Sequence, residues 1–197
     1  MLFILSISRW IDRINEAVGK TVSWLILAAV LVCSVNAMVR YIANDSSNAY
    51  LEIQWYMFSA IFLLASSYTL KKNEHVRIDV ITSHLSKRTN AWIDIFGFLF
   101  FLLPMTLILV LYATPYALTS IRSQEMSSNA GGLIVWPAKL LIPVGFALLT
   151  LQGISELIKR IAFLRGLIDS REYEKASLNP EDEVKAIAEA NQLKIHQ

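Results

Sequence analysis

Eighteen consecutive residues, Ile53 to Leu70, carry no charge, and the chain then turns abruptly basic at Lys71 and Lys72. Glu52 stands just before this run, with Trp55 and Tyr56 just inside it. In hydrocarbon, a stretch like this can satisfy its backbone only by coiling into a helix, because nothing there bonds to an exposed amide. At about 1.5 Å per residue it covers most of the roughly 30 Å apolar core of a bilayer. The aromatic pair suits one membrane face and the lysine pair the other.

Three more segments share the pattern, which gives spans at about residues 21–41, 51–70, 91–111 and 138–158. Charged residues make up 17% of the chain, too few for a soluble domain, where about a quarter is usual. The expected fold class is all-α: a polytopic membrane protein with four transmembrane helices occupying residues 21–160. Pro104 falls inside the third span, where its ring should kink the helix.

Residues 1–20 read as an amphipathic helix. Phe3, Ile7, Trp10 or Ile11, Ile14 and Val18 fall on one side, with Arg9, Asp12, Arg13, Glu16 and Lys20 on the other. Such a segment lies flat in the membrane interface or simply leads into the first span. Ala43 to Ala49 is a short polar hairpin without Lys or Arg. Residues 161–197 form a polar tail, in which Asn179-Pro180 followed by three acids could start a short helix over 180–193.

Fifteen of the 18 basic residues lie before span one, between spans two and three, or after span four. The other three are Arg40, Arg122 and Lys139. The positive-inside rule therefore puts both termini and the middle loop in the cytoplasm. A formal net charge of +2 gives no footing for nucleic acid. The single cysteine, Cys33, sits in an apolar run and reads as a packing residue.

Few residues could carry chemistry. Glu52 and Arg40 stand near the outer ends of adjacent spans, so a bridge between them would relieve two charges at a costly depth. Alternatively, Glu52 is a proton-coupling carboxylate. His75, Arg77 and Asp79 form an H-V-R-I-D sequence after span two, suited to contact with lipid phosphates or with a partner protein. Asp94, beside Trp92, could accept from His75 or Arg77. His75, His84 and His196 all lie outside the spans, which leaves no axial ligand for a haem. No catalytic, metal-binding or cofactor-binding constellation is evident. Physical reading alone stops at an auxiliary membrane subunit, with a self-assembling ion-coupled transporter or channel using Glu52 or Asp94 as the alternative.

Several short motifs go further. Arg40-Tyr41 ends span one, Glu52-Ile53-Gln54-Trp55 opens span two, and His75 to Asp79 follows it. Ala91-Trp92-Ile93-Asp94, Leu103-Pro104, the stretch EMSSNAGGLIVWP from Glu125 to Pro137, and Pro143-Val144-Gly145-Phe146 before Leu151-Gln152 complete the series. In this order around four spans, the chain resembles the small permease (Q-type) subunit of tripartite ATP-independent periplasmic (TRAP) transporters. The resemblance implies a non-catalytic subunit in a bacterial inner membrane. It would brace a large permease that holds the substrate and sodium sites and moves as an elevator, and a periplasmic binding protein would deliver an organic acid. It further implies partner contacts through Arg40, Glu52, Trp55, His75, Arg77, Asp79 and Asp94. The outer segment Tyr112 to Pro137 would meet the binding protein through Arg122, Glu125 and Trp136. Where the family often has two adjacent acids at the entry to span two, this chain has only Glu52.

Overall fold

A computed structural model describes residues 2–43, 47–72 and 85–167. The H-V-R-I-D sequence, the turn at 44–46 and the tail helix expected over 180–193 lie outside the described residues.

The first helix, α1 (Leu2–Ala43), is unbroken over 42 residues, about 63 Å at 1.5 Å per residue. The amphipathic segment and the first span are thus one rod, twice as long as the hydrocarbon core needs. Helix α2 (Asn48–Lys72) returns antiparallel beside it. Next comes a rod in three pieces: α3 (Lys87–Gly97), a π-helical turn (Phe98–Leu102) and α4 (Leu103–Ser123). Ser86 caps α3 by accepting from the Thr89 amide at 3.2 Å.

The π turn lies immediately before Pro104. Proline lacks an amide hydrogen and its ring presses on the carbonyl one turn back, so widening that turn relieves the clash. The conflict expected to kink the helix is absorbed in this way. Helix α4 runs on to Ser123 and ends where Gln124 adopts a left-handed conformation (φ 48°). This corrects the expected outer loop: Tyr112 to Ser123 is helical, and the connection shrinks to residues 124–135. The intervening sequence is apolar enough to stay helical despite Pro115. The last helix, α5 (Trp136–Leu164), carries Pro137 in its first turn, where its missing donor costs nothing.

Among the described residues, three helical stretches are long and apolar enough to cross a membrane: Leu5–Ile42, Arg88–Ser123 and Trp136–Leu164. Helix α5 is the hub. It packs against α1, α2, α3 and α4, and α1 also packs on α2. The α3–α4 rod leans on α5 alone, with at most slight contact to α1 and α2.

Packing is inverted relative to a soluble protein. Ala29, Ala91, Ala117, Ala162, Ser67, Thr106 and Ser155 are buried, while Trp24, Leu31, Phe62, Phe101 and Leu111 are more than half exposed. Lipid tails solvate large apolar side chains as well as a core does, so small residues that bring backbones together occupy the interfaces. The same rule overturns the expected facing of residues 1–20. Ser8, Ile11 and Asn15 are buried against the bundle, and Ile7 and Trp10 point away from it.

Gly145 marks the closest approach of α5 to α2. A Cβ there would lie 2.7 Å from Leu63 Cβ and 2.9 Å from the Leu63 carbonyl oxygen. Gly145→Leu should therefore lower the melting temperature of the detergent-solubilised protein, through overpacking of about 1–3 kcal/mol. Gly97→Ala should be neutral or mildly stabilising, because nothing stands within 4 Å of its Cβ position.

Candidate functional site

Two polar constructions occupy opposite ends of the bundle. At the end holding residues 124–135, a short hairpin folds over the start of α2. Met126 and Ile134 form an isolated antiparallel bridge. The Ser127 amide donates to the Leu133 carbonyl at 2.9 Å, and the Val135 amide to the Glu125 carbonyl at 2.9 Å. Gly131 provides the positive φ (70°) that the turn requires.

Helix α2 grips this hairpin with residues spaced four apart, hence on one face. Asn48 Nδ2 donates to the Ala130 carbonyl at 2.9 Å, and the Tyr56 hydroxyl donates to the Ile134 carbonyl at 3.2 Å. Between them Glu52, only 3% exposed, accepts from the Leu133 amide at 2.6 Å, from Asn129 Nδ2 at 2.9 Å and from the Ser127 hydroxyl. Gly132 makes this possible, since a Cβ there would fall 2.8 Å from Glu52 Oε1 and 2.6 Å from Ser127 Cβ.

This corrects the expected Arg40–Glu52 bridge. Arg40 is exposed on the last turn of α1, and no ion pair joins it to Glu52 among the described residues. A neutral cradle of one amide and two side-chain donors answers the carboxylate, so Arg40 is not needed there. Glu125 pairs instead with Lys139 at 2.5 Å, and that ammonium stacks on the Tyr116 ring at 4.2 Å. The Lys139 ammonium beside Glu125 holds its carboxyl below the usual carboxylate range. Arg122 and Trp55 are exposed, and Trp136 is half-buried at the first position of α5.

At the opposite end, α5 presents Gln152, Ser155, Glu156, Lys159 and Arg160 along one face. Arg160, 4% exposed, donates to Asp94 at 2.8 Å and to Glu156 at 2.5 Å, with its guanidinium 4.6 Å from the centre of the Phe98 ring. Lys159 joins Glu156 (2.8 Å) to Asp12 (2.7 Å). Gln152 Nε2 donates to Asp12 and Glu156 and its oxygen accepts from Asn15 Nδ2 at 2.8 Å. The Ser155 hydroxyl donates to Asp12 at 2.9 Å and lies 2.7 Å from the Ser8 hydroxyl. Lys71, the last charge of α2 but one, reaches Glu16 at 2.8 Å and the Asp12 carbonyl at 3.0 Å. Four helices are thus tied at one level by charges that answer one another.

Asp94 is bound to Arg160; His75 and Arg77, which it was expected to meet, lie outside the described residues. Asp94 and Glu52 lie at opposite ends of the bundle and share no partner among the described residues. The expected spans do not reveal this network, because Lys159 and Arg160 fall just past the expected end of the fourth span at residue 158 and count only toward the charge after it. Its signal is present all the same: residues 152, 155, 156, 159 and 160 recur at helical spacing on an otherwise apolar helix, and 8, 12 and 15 do so on α1.

Comparison with known families matches residues 27–163 to the DctQ component of tripartite ATP-independent periplasmic transporters. The chain belongs to the DctQ family. A DctQ component is the small membrane subunit of a TRAP transporter, an inner-membrane assembly in which it works with a large permease and a periplasmic binding protein. No curated protein and no solved structure matches this chain.

The ionic network gives the sharpest test of DctQ stability. Arg160→Met takes the guanidinium from buried Glu156 and half-buried Asp94, leaves Glu156 to Lys159, and should cost about 3 kcal/mol in thermal unfolding of the solubilised subunit. Arg160→Lys should recover little of it, because an ammonium cannot fork between Asp94 and Glu156 as a guanidinium does. At the hairpin end, Glu52→Gln puts an amide donor among donors. Hydrogen exchange should then quicken at Leu133 and Ser127 while α5 amides stay protected.

The pH dependence of the hairpin follows in part from Glu125. A carboxyl held low in the folded state adds stability above its unfolded value of about 4.3 and loses it as pH falls through the lower folded value. Hairpin protection factors, which divide out the intrinsic pH dependence of exchange, should therefore be flat from pH 7 to 5 and fall only below the ordinary glutamate range. Glu125→Gln should shrink that fall and leave the part that comes from protonating Glu52 in its cradle.

Proposed function

We propose that this DctQ subunit is a non-catalytic brace with four spans, α2 being the fourth, and with both termini in the cytoplasm. Helix α2 is 25 residues long and uncharged from Ile53 to Leu70, and it runs beside two helices that meet the length and hydropathy of spans. The count of basic residues supports the orientation. On this reading the hairpin at 124–135 faces the periplasm and the ionic network lies at the cytoplasmic surface.

The observation that carries the proposal is the grip of α2 on the hairpin. Three side chains on one helical face, with Glu52 at the centre, hold a loop that would otherwise cost entropy to order. Such a loop is a prepared surface, with Met126 59% and Ile134 38% exposed on it. We assign it to docking of the periplasmic binding protein, with Arg122, Glu125 and Trp136 at or near its margin. Arg40, Trp55 and Asp94 we assign to the permease side or to support of the helices that face it, and His75, Arg77 and Asp79 to the cytoplasmic rim. Sodium coupling and an organic-acid substrate follow from the family resemblance and would be properties of the large permease.

The alternative, a self-assembling ion-coupled channel using Glu52 or Asp94, is less well supported. Both acids are engaged by protein donors and stand at opposite ends of the bundle.

The test is to tag the subunit, extract it gently from native membranes and identify what copurifies. A stoichiometric many-span protein is the expected result; a homo-oligomer alone would sink the proposal. In reconstituted uptake, Met126→Asp with Ile134→Asp should raise the concentration of binding protein needed for half-maximal transport, leaving recovery of the permease unchanged.

A further inference from the structure

The N-terminal half of α1 divides into three sectors. At about 100° per residue, Arg13 lies about 40° and Lys20 about 20° round from Arg9, so these three form one stripe. Ser8 and Asn15 fall on the docked side, where they meet Ser155 and Gln152. On the other flank of the stripe are Trp10 and Ile7, 64% and 42% exposed.

The cations near this end differ in how they are answered. Lys20 and Lys71 share Glu16, and Lys159 and Arg160 are held by Asp12, Glu156 and Asp94. Among the described residues, Arg9 donates to the Ser6 hydroxyl at 3.3 Å and neither Arg9 nor Arg13 has a carboxylate partner. Both are exposed. Two neighbouring guanidinium groups without counter-charge therefore stand beside an exposed tryptophan. Their level is also fixed: Lys71 bonds to the carbonyl of Asp12, the residue before Arg13, exactly where the apolar run of α2 ends.

We propose that Arg9 and Arg13 bind the phosphate of an anionic phospholipid, with Trp10 seated at the headgroup boundary beside it. One helical turn separates the two arginines by about 6 Å. Their side chains can converge on one phosphodiester from two sides, each giving charge-assisted hydrogen bonds to its non-bridging oxygens. An indole beside them prefers that depth. The site lies in the cytoplasmic leaflet and rests there on the orientation proposed above. Its occupant is a lipid rather than an acidic protein segment, because the adjoining sector is the apolar one that faces hydrocarbon.

Native mass spectrometry of the full-length subunit, in the complex it copurifies with, gives the test. Phosphatidylglycerol is titrated against phosphatidylethanolamine of the same acyl chains. Arg9→Gln and Arg13→Gln should each weaken phosphatidylglycerol binding roughly fivefold, and the double variant about 25-fold. Phosphatidylethanolamine, whose own ammonium offsets the phosphate charge, should bind more weakly to the wild type and lose less in the variants, and Arg122→Gln at the opposite end should behave as wild type. Equal phosphatidylglycerol binding by wild type and double variant overturns the proposal. So does loss of a copurifying protein from the double variant with lipid binding intact, which would make the arginines a protein contact. If the subunit emerges alone, the brace fails as a reading, but the same titration on the lone chain still decides the lipid site.

Discussion

A charge buried away from water must be answered by other protein groups, and the Lys159–Arg160 end of α5 is built around that demand. Arg160 could not be buried there alone, nor could Asp94 or Glu156. Together they form a chain of ionic hydrogen bonds that Lys159 and Gln152 extend to Asp12 on α1. Desolvation consumes much of the attraction in such a cluster, so its worth lies less in added stability than in excluding other arrangements. Sliding α1 or α3 by one turn along α5 would strand carboxylates and cations apart. The long N-terminal rod and the π-broken rod are thus set in register against one helix, and the apolar lipid-facing sides need only be apolar.

The hairpin end uses the opposite chemistry. Glu52 is answered by an amide, a carboxamide and a hydroxyl, all from the hairpin that it holds. The arrangement resembles a helix cap turned sideways: one carboxylate gathers donors that a loop would otherwise leave facing a poor solvent. Asn48 and Tyr56, one turn before and one turn after, take the loop's carbonyls. Acceptors and donors of the hairpin are therefore met by the same face of α2, and the glycine at position 132 keeps the backbone near enough for this.

Much of this was legible in the sequence, and the failures are instructive. Uncharged runs revealed the helices, because length and hydropathy are enough for backbone satisfaction in a bilayer. The same runs concealed where helices end. Tyr112, Tyr116 and Arg122 suit a membrane surface, but a surface does not end a helix, so its continuation to Ser123 left no trace in the pattern. Polar partners were the harder problem. Arg40 and Glu52 look like a natural pair, being close in sequence and opposite in charge, yet the donors that hold Glu52 come from more than 70 residues away. The ionic network could have been found by applying helical periodicity to the polar residues of α5 instead of the apolar ones. In a membrane protein the informative stripe is the polar one, since hydrophobic residues no longer mark the inside. The facing of residues 1–20 was misjudged for that reason.

The hub arrangement of α5 has a geometric consequence. Helices that enclose a lumen must stand in a ring, each touching two neighbours and none occupying the centre. Here one helix fills the centre, and the α3–α4 rod touches little else. From Leu140 to Leu151 that central helix carries no charge, so an uncharged stretch separates the two polar ends. The chain has two unlike flanks, one formed by α1 and α2 and the other by the α3–α4 rod. A single neighbour seated on either leaves the other open to lipid, which makes the subunit a one-sided wedge.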